Sequence, residues 1–187
     1  LANESHRQVV VDREEGQYLG HVTTVLLRDG KTLLATYPKG HGRGPIVMKR
    51  SGDGGRTWSE RLALPDTWAT SQEVPTLFPV RSEGKRLVLF SGLHPVRRAI
   101  SEDEGATWSE LEPVGDWGGI VAMASLAVRC DDSLVAFFHD DGRFIGKRMK
   151  PEDDHPFWVF QSVSTDGGLT WGDPVVVASH EKAHLCE

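Results

Sequence analysis

Ser51-Gly52-Asp53-Gly54-Gly55-Arg56-Thr57-Trp58 decides how this chain is read, because it occurs three times. The second copy is Ser101-Glu102-Asp103-Glu104-Gly105-Ala106-Thr107-Trp108, and the third is Ser164-Thr165-Asp166-Gly167-Gly168-Leu169-Thr170-Trp171. All three read Ser-x-Asp-x-Gly-x-Thr-Trp, with starts 50 and then 63 residues apart. Repetition at that period signals an array of supersecondary units. The Gly accepts the positive φ of a tight turn. The Ser and Asp side chains hydrogen-bond the turn's own backbone. The Trp re-enters the sheet and buries a large ring beside the neighbouring strand. The repeat is thus expected to be a hairpin corner with an anchor. Calcium-binding loops carry several oxygen ligands at alternating positions, and these carry one or two.

The repeat resembles the Asp-box of the sialidase superfamily, and the resemblance covers nearly the whole chain. It implies an all-β fold, a six-bladed sialidase-like β-propeller whose boxes join the third and fourth strands of each blade, far from the active site. A blade takes about 40–50 residues and closed propellers have at least four. The 187 residues therefore read as about three blades, near 18–68, 69–116 and 117–179, with a fourth starting at 180–187. The expectation is the N-terminal half of one propeller domain, truncated or completed by remaining blades. The chain opens on Leu1 without a basic and apolar leader, as a mature or cut product would. The expected location is secreted or periplasmic.

Strands are expected at His21–Leu27, Thr32–Tyr37, Pro45–Lys49 and Arg61–Leu64 in the first unit. The second unit gives Pro75–Val80, Arg86–Ser91, Val96–Ile100 and Glu110–Val114. The third gives Val121–Arg129, Leu134–His139, Phe157–Val163 and Pro174–Ala178, with an insertion near Met149–His155. Short β-branched runs between Gly and Asp turns support this, and no helical periodicity of ten or more residues competes. Residues 1–17 carry no clear pattern, as a lead-in or ring-closing outer strand would. The composition is 39% hydrophobic and 26% charged, ordinary for a globular protein. A net charge of -6 argues against a nucleic-acid surface. No apolar run approaches the roughly 18–20 residues of a membrane span. Two cysteines, Cys130 and Cys186, make no disulfide framework, although one bridge is open to them.

The propeller geometry implied by the resemblance gathers polar residues at one mouth. Inner-strand starts bring Tyr18, His21, Ser71, Gln72, Glu73, Trp117, His184 and Glu187. The loops between second and third strands bring Lys39, His41, Arg43, His94, Arg97, His139, Asp140, Asp141 and Arg143. Sialidases use an arginine triad, an acid/base aspartate and a tyrosine nucleophile with a glutamate partner. Where the family has Arg-Ile-Pro at the start of the first blade, this chain has His21-Val22-Thr23. The loop expected to hold the aspartate reads Pro38-Lys39-Gly40-His41-Gly42-Arg43-Gly44-Pro45, without a carboxylate. A sialidase-like glycosidase of different sugar specificity fits these departures.

Such an enzyme needs two carboxyl groups roughly 5–10 Å apart. Glu73, Asp140, Asp141 and Glu187 are the candidates, with Glu187 in the position of the family's glutamate. His21, Lys39, His41, Arg43, Arg97, His139 and Arg143 are the candidate substrate-binding residues, for a carbohydrate substrate. The adjacent Asp140 and Asp141 could raise one another's pKa, or simply form a solvated turn. His180-Glu181-Lys182-Ala183-His184 matches the zinc-protease pattern, but that chemistry needs a helix. No metal or other cofactor is expected. The alternative class is a non-catalytic propeller that binds carbohydrate or protein at the same mouth.

Overall fold

The computed structural model describes residues 4–80, 84–145 and 156–186. It is all-β, built as three antiparallel sheets in chain order. The first holds β1 (Thr23–Leu26), β2 (Leu33–Pro38) and β3 (Ile46–Ser51). The second holds β4 (Pro75–Pro79), β5 (Leu87–Ser91), β6 (Arg97–Ser101) and β7 (Glu112–Pro113). The third holds β8 (Ile120–Val128), β9 (Leu134–Asp140), β10 (Trp158–Ser164) and β11 (Val175–Ala178). Each strand pairs with its neighbours in sequence. No α-helix occurs among the described residues; two short 3-10 segments lie at Ser5–Arg7 and Asp66–Thr70. None of the described helices is long and apolar enough to cross a membrane.

Strand alternation explains the layering. All five residues of β5 are buried. Leu87 and Leu89 enter a core shared with Val25, Leu34, Met48 and Trp68 of the first unit. Val88 and Phe90 enter a second core with Met123, Leu134, Phe138 and Trp171 of the third. A strand covered on both faces reads as a continuous apolar run, and Leu-Val-Leu-Phe does.

The boxes close on themselves. The Ser51 hydroxyl donates to Asp53 Oδ1 at 2.8 Å and accepts from the Gly55 N–H at 2.9 Å. Asp53 also accepts from the Thr57 N–H (2.9 Å) and hydroxyl (2.7 Å). The same bonds recur around Asp103 and Asp166. The tryptophans diverge: Trp171 is buried and its indole donates to Gly168 O at 3.1 Å. Trp58 and Trp108 are only half-buried, against the expectation of a fully buried anchor. Trp108 meets Trp68 edge-on at 5.3 Å, and its Nε1 has no partner.

The second and third boxes dock on the preceding sheet. Arg50 donates to Glu104 O at 3.1 Å, Arg86 to Gly167 O at 3.1 Å and Arg98 to Leu169 O at 2.7 Å. At the inner strands, the Thr23 hydroxyl donates to Pro75 O (2.9 Å) and that of Thr76 to Ala122 O (3.3 Å).

One expectation needs correction, and two readings left open are decided. Arg61–Leu64 is not a strand: the chain leaves β3 after only two further backbone bonds, Ser59 N to Arg50 O and Leu62 N to Met48 O. Leu62 and Leu64 turn into the core, and Arg61 is drawn to Asp12 and Glu14 at 2.7 and 2.6 Å. The described part of the lead-in is likewise no strand but is clamped onto the first sheet. Tyr37 and Lys49 donate to Asp12 Oδ2 and Val11 O, at 2.6 and 3.0 Å. Cys130 and Cys186 are free and exposed, so no bridge joins them. The Met149–His155 insertion lies outside the described residues.

Candidate functional site

Glu73 precedes β4 at the end of the sheets where the β2–β3 loop lies. Its segment is held from several sides. Arg97 places two 2.7 Å hydrogen bonds on the side chain and carbonyl of Thr70. The Ser71 hydroxyl bonds Ser91 at 2.8 Å and Glu73 O at 2.9 Å. The β2–β3 loop folds over this segment because glycines let it pinch. A Cβ at Gly40 would lie 2.3 Å from Arg43 O, and one at Gly44 2.3 Å from Lys39 O, at φ +149° and +133°. The crossing sets Gly42 so close that a Cβ there would lie 3.7 Å from Glu73 Oε1.

The loop delivers His41 beside His21 and Tyr18. Ring centroids are 4.7 Å apart for the two histidines and 5.3 Å for Tyr18 and His41. All three rings are exposed, while Glu73 is half-buried. Burial pushes the Glu73 carboxyl above its ordinary value. N–H groups of Val74 and Val121, with the nearby His21 and Arg43, pull the other way without cancelling it. Tyr18, His21, His41, Arg43 and Glu73 thus form one cluster, with an acid biased toward its protonated form.

Other candidates are engaged elsewhere. Lys39 pairs with Glu14 at 2.9 Å, and Arg97 serves Thr70. Asp140 is 1% exposed. Its Oδ2 accepts from the N–H groups of Gly142 (2.7 Å), Phe144 and Ile145 (both 3.3 Å), which pins the 141–145 loop. Its Oδ1 has no partner, and burial raises its pKa. Asp141 pairs with Arg143 at 2.8 Å, and Arg143 also lies over the Phe144 ring. The two carboxyls hold the same loop, Asp140 from inside the fold and Asp141 through Arg143, so the turn is not simply solvated. His139 is buried and stacks on Phe157 at 5.1 Å, and His184 meets Phe157 edge-on at 5.0 Å. His139 borders a cavity of about 400 Å³ with Val121, Ser125, Phe137 and Leu185. Trp117, expected at the mouth, stacks on Phe138 in the core. Glu187 lies outside the described residues.

A separate cavity of about 250 Å³, lined by Leu26, Arg28, Lys85 and Glu104, lies at the opposite end and takes in none of the candidates. Residues 180–184 are irregular rather than helical, so the zinc-protease spacing loses its meaning. No group of three or more potential metal-ligating side chains is gathered among the described residues.

Nothing in the sequence marks the β8 offset, a register break with β9 between Ile120 and Ser125, since Val121–Arg129 reads as an unbroken strand. Tyr18 was visible in the sequence as a mouth residue, but its partnership with His41 depends on the pinched loop.

No protein-family model and no curated protein sequence matches the chain. Solved structures do. A protein of unknown function from Dyadobacter fermentans superposes with a TM-score of 0.61 at 18% identity, over 89% of this chain and 53% of its own. A polysaccharide lyase, an ulvan lyase bound to a sulfated glucuronate–rhamnose unit, gives 0.54 at 12% identity over 89% and 46%. A Hadza microbial sialidase gives 0.51 at 20% identity over 77% and 35%. These likenesses are of fold. The chain spans about half the length of the first two and a third of the sialidase.

Proposed function

We propose that the three sheets are blades of a six-bladed sialidase-like β-propeller, bounded near 18–68, 69–116 and 117–179, and that its mouth hydrolyses a glycan. Glu73 is the acid/base in this reading. The observation that carries it is a half-buried carboxyl with a raised pKa, with His21 and Arg43 near it and the Tyr18 and His41 rings against His21. A carboxyl whose protonated form is favoured by burial can give its proton to a leaving glycosidic oxygen. His21, His41 and Arg43 then contact sugar hydroxyls or anionic groups. Glu187 is assigned the second carboxyl on its place in the sequence, since Asp140 Oδ2 and the Asp141 carboxylate bind their own loop. Remaining blades complete the ring, and the protein acts in a secreted or periplasmic setting.

A second reading is β-elimination from a uronate-containing polysaccharide. It is favoured by the Tyr18 and His41 side chains grouped with His21, which lies near Glu73, and one structural neighbour is described as an ulvan lyase. A base would take the proton next to the sugar carboxylate while the C4–O bond breaks and the departing oxygen is protonated.

The test is a panel of chromogenic glycosides, sialosides and uronate polysaccharides, with the Glu73→Gln variant alongside. Hydrolysis abolished by Glu73→Gln with the fold intact supports the first reading. Appearance of an unsaturated uronate chromophore supports the second. Glycan binding without turnover would reduce the mouth to a recognition surface, and full activity in Glu73→Gln would remove Glu73 from the mechanism.

A further inference from the structure

The lead-in turns back at Glu14. The Gln17 N–H donates to Glu14 O at 3.2 Å around Gly16, at φ +72°, and Tyr18 follows directly. The next residue, Leu19, forms backbone bridges with Lys39 and Gly40, where the β2–β3 loop begins. An ion pair crosses the same junction. Glu14 Oε1 meets Lys39 Nζ at 2.9 Å, while Glu14 Oε2 takes Arg61 at 2.6 Å. Behind Glu14 the anchor runs into the sheet. Arg61 also binds Asp12 at 2.7 Å, and Asp12 accepts from the hydroxyl of Tyr37, a buried residue of β2, at 2.6 Å.

The chain beyond Lys39 needs such a hold. Glycines alternate at 40, 42 and 44, all at positive φ, and glycine loses the most backbone freedom on ordering. Backbone bonds pin the loop at its ends, Lys39 N–H to Pro45 O at 2.9 Å and Gly44 N–H to Ser71 O at 3.4 Å. Among the described residues, His41 between those ends makes ring contacts, to Tyr18 and His21, and no hydrogen bond. Tyr18 follows Glu14 by four residues, and His41 follows Lys39 by two. One ion pair thus joins the roots of the two segments that carry these rings to the mouth. Bonds from Lys39 and Arg61 hold the Glu14 carboxyl below its ordinary value, so the anchor is charged at neutral pH.

We propose that the Glu14–Lys39 ion pair is a strap that sets the shape of the mouth, with Lys39 a positioning residue for His41 and not a contact for substrate. The assignment rests on the reading of Tyr18, His21, His41 and Glu73 as the working groups of the site. Strand order alone puts the Lys39 cation among the substrate contacts, but the folded chain turns its ammonium to Glu14. The two side chains are 28% and 33% exposed, and a pair so exposed adds little to global stability. Its effect is local, because it selects one arrangement of a loop that has many.

The experiment reads the rings without any ligand. Nuclear Overhauser contacts of the His41 ring with Tyr18 and His21 are measured in the 187-residue chain, for wild type, Lys39→Gln, Lys39→Arg and Glu14→Gln. Lys39→Gln should weaken them by about twofold or more while the melting temperature stays within about 2 °C. Lys39→Arg keeps the charge and the reach to Glu14, so it should restore them. Salt at about 1 M, where screening acts within about 3 Å, should loosen the wild-type contacts and leave those of Lys39→Gln as they are. If Lys39→Gln fails to fold, the salt series and Glu14→Gln, which also releases Arg61, supply the same readout. Ring contacts of wild-type strength in Lys39→Gln overturn the proposal, since a Lys39 that bound substrate would leave the unliganded rings unmoved. Weakening that comes only with a large fall in melting temperature overturns it too, as the mark of a merely structural pair. Failure of the catalytic reading looks different: the rings respond as expected while Glu73→Gln keeps full turnover.

Discussion

Carboxyl groups in this protein divide by environment, and the division sets how stability should follow pH. Burial works against ionisation of Asp12, but hydrogen bonds from Tyr37 and Arg61 outweigh it and hold the pKa at about 2. Asp53 and Asp103 are also held at about 2, chiefly by bonds from Thr57 and Thr107. An acid depressed on folding lends stability above its unfolded value, near 3.9, and loses it as pH falls toward the folded value. Glu73 and Asp140 are raised by burial, so their contribution has the opposite sign. It weakens the fold as pH rises from the ordinary carboxylate range through their raised values. The melting temperature should therefore peak on the acid side of neutrality and fall steeply between about pH 4 and pH 2. Glu73→Gln should raise it at neutral pH. Thermal unfolding followed by circular dichroism across the pH range checks both; a peak above neutrality would contradict the assignment.

At the scale of the element, the box is more than a turn. A Cβ at Gly105 would fall 2.5 Å from Leu34 Cδ1 of the first sheet, at φ +78°. Leu34 is fully buried and has little room to yield. At Gly54 the φ is almost the same, +75°, but nothing lies within 4 Å. Gly54→Ala should thus cost only the conformational penalty, about 1 kcal/mol. Gly105→Ala should cost that plus a clash, about 2–4 kcal/mol in all. Denaturant melts of the two variants measure the difference, and equal losses would mean the box does not press on the sheet before it.

Strands were largely legible because their alternation is local: β4, β5 and β9 begin and end within a residue or so of the expected limits. The site was less so. Glu73 and its His partners follow from strand order, but Lys39 and Arg97 go to Glu14 and Thr70, partners far off in sequence. A charge takes the nearest complementary group, and that distance exists only after folding. The β8 offset was invisible for a different reason, since none of its residues is a Gly or Pro that marks a break.

For the whole molecule, the large apolar side chains left exposed among the described residues are segregated. Val22 and Leu26 lie on or beside the first sheet, with Val9, Val10 and Tyr18 in the lead-in next to it. Val128, Val175, Val176 and Val177 lie on the third sheet. None belongs to the middle sheet. β11 carries three consecutive valines, 57%, 41% and 45% exposed, on a strand with a free edge. β7, the matching edge of the second sheet, is only Glu112–Pro113, a short strand with a charge and a proline that discourage pairing. Unprotected edges invite association. The 187-residue chain should therefore self-associate in sedimentation experiments, and Val176→Lys should shift it toward monomer. If Val176→Lys leaves the distribution unchanged, the β11 edge is not the sticky one.

β5, with alternate side chains in two cores, makes the middle sheet the shared wall of both. In a row of units coupled only to their neighbours, the interior one opens only after a flank has gone. Amide protons of Val88 and Phe90 should consequently exchange with deuterium only through global unfolding, while those of β1 and β11 escape through partial opening at either end. The protein would lose its order from the outside inward, with β5 the last strand to give up its protons.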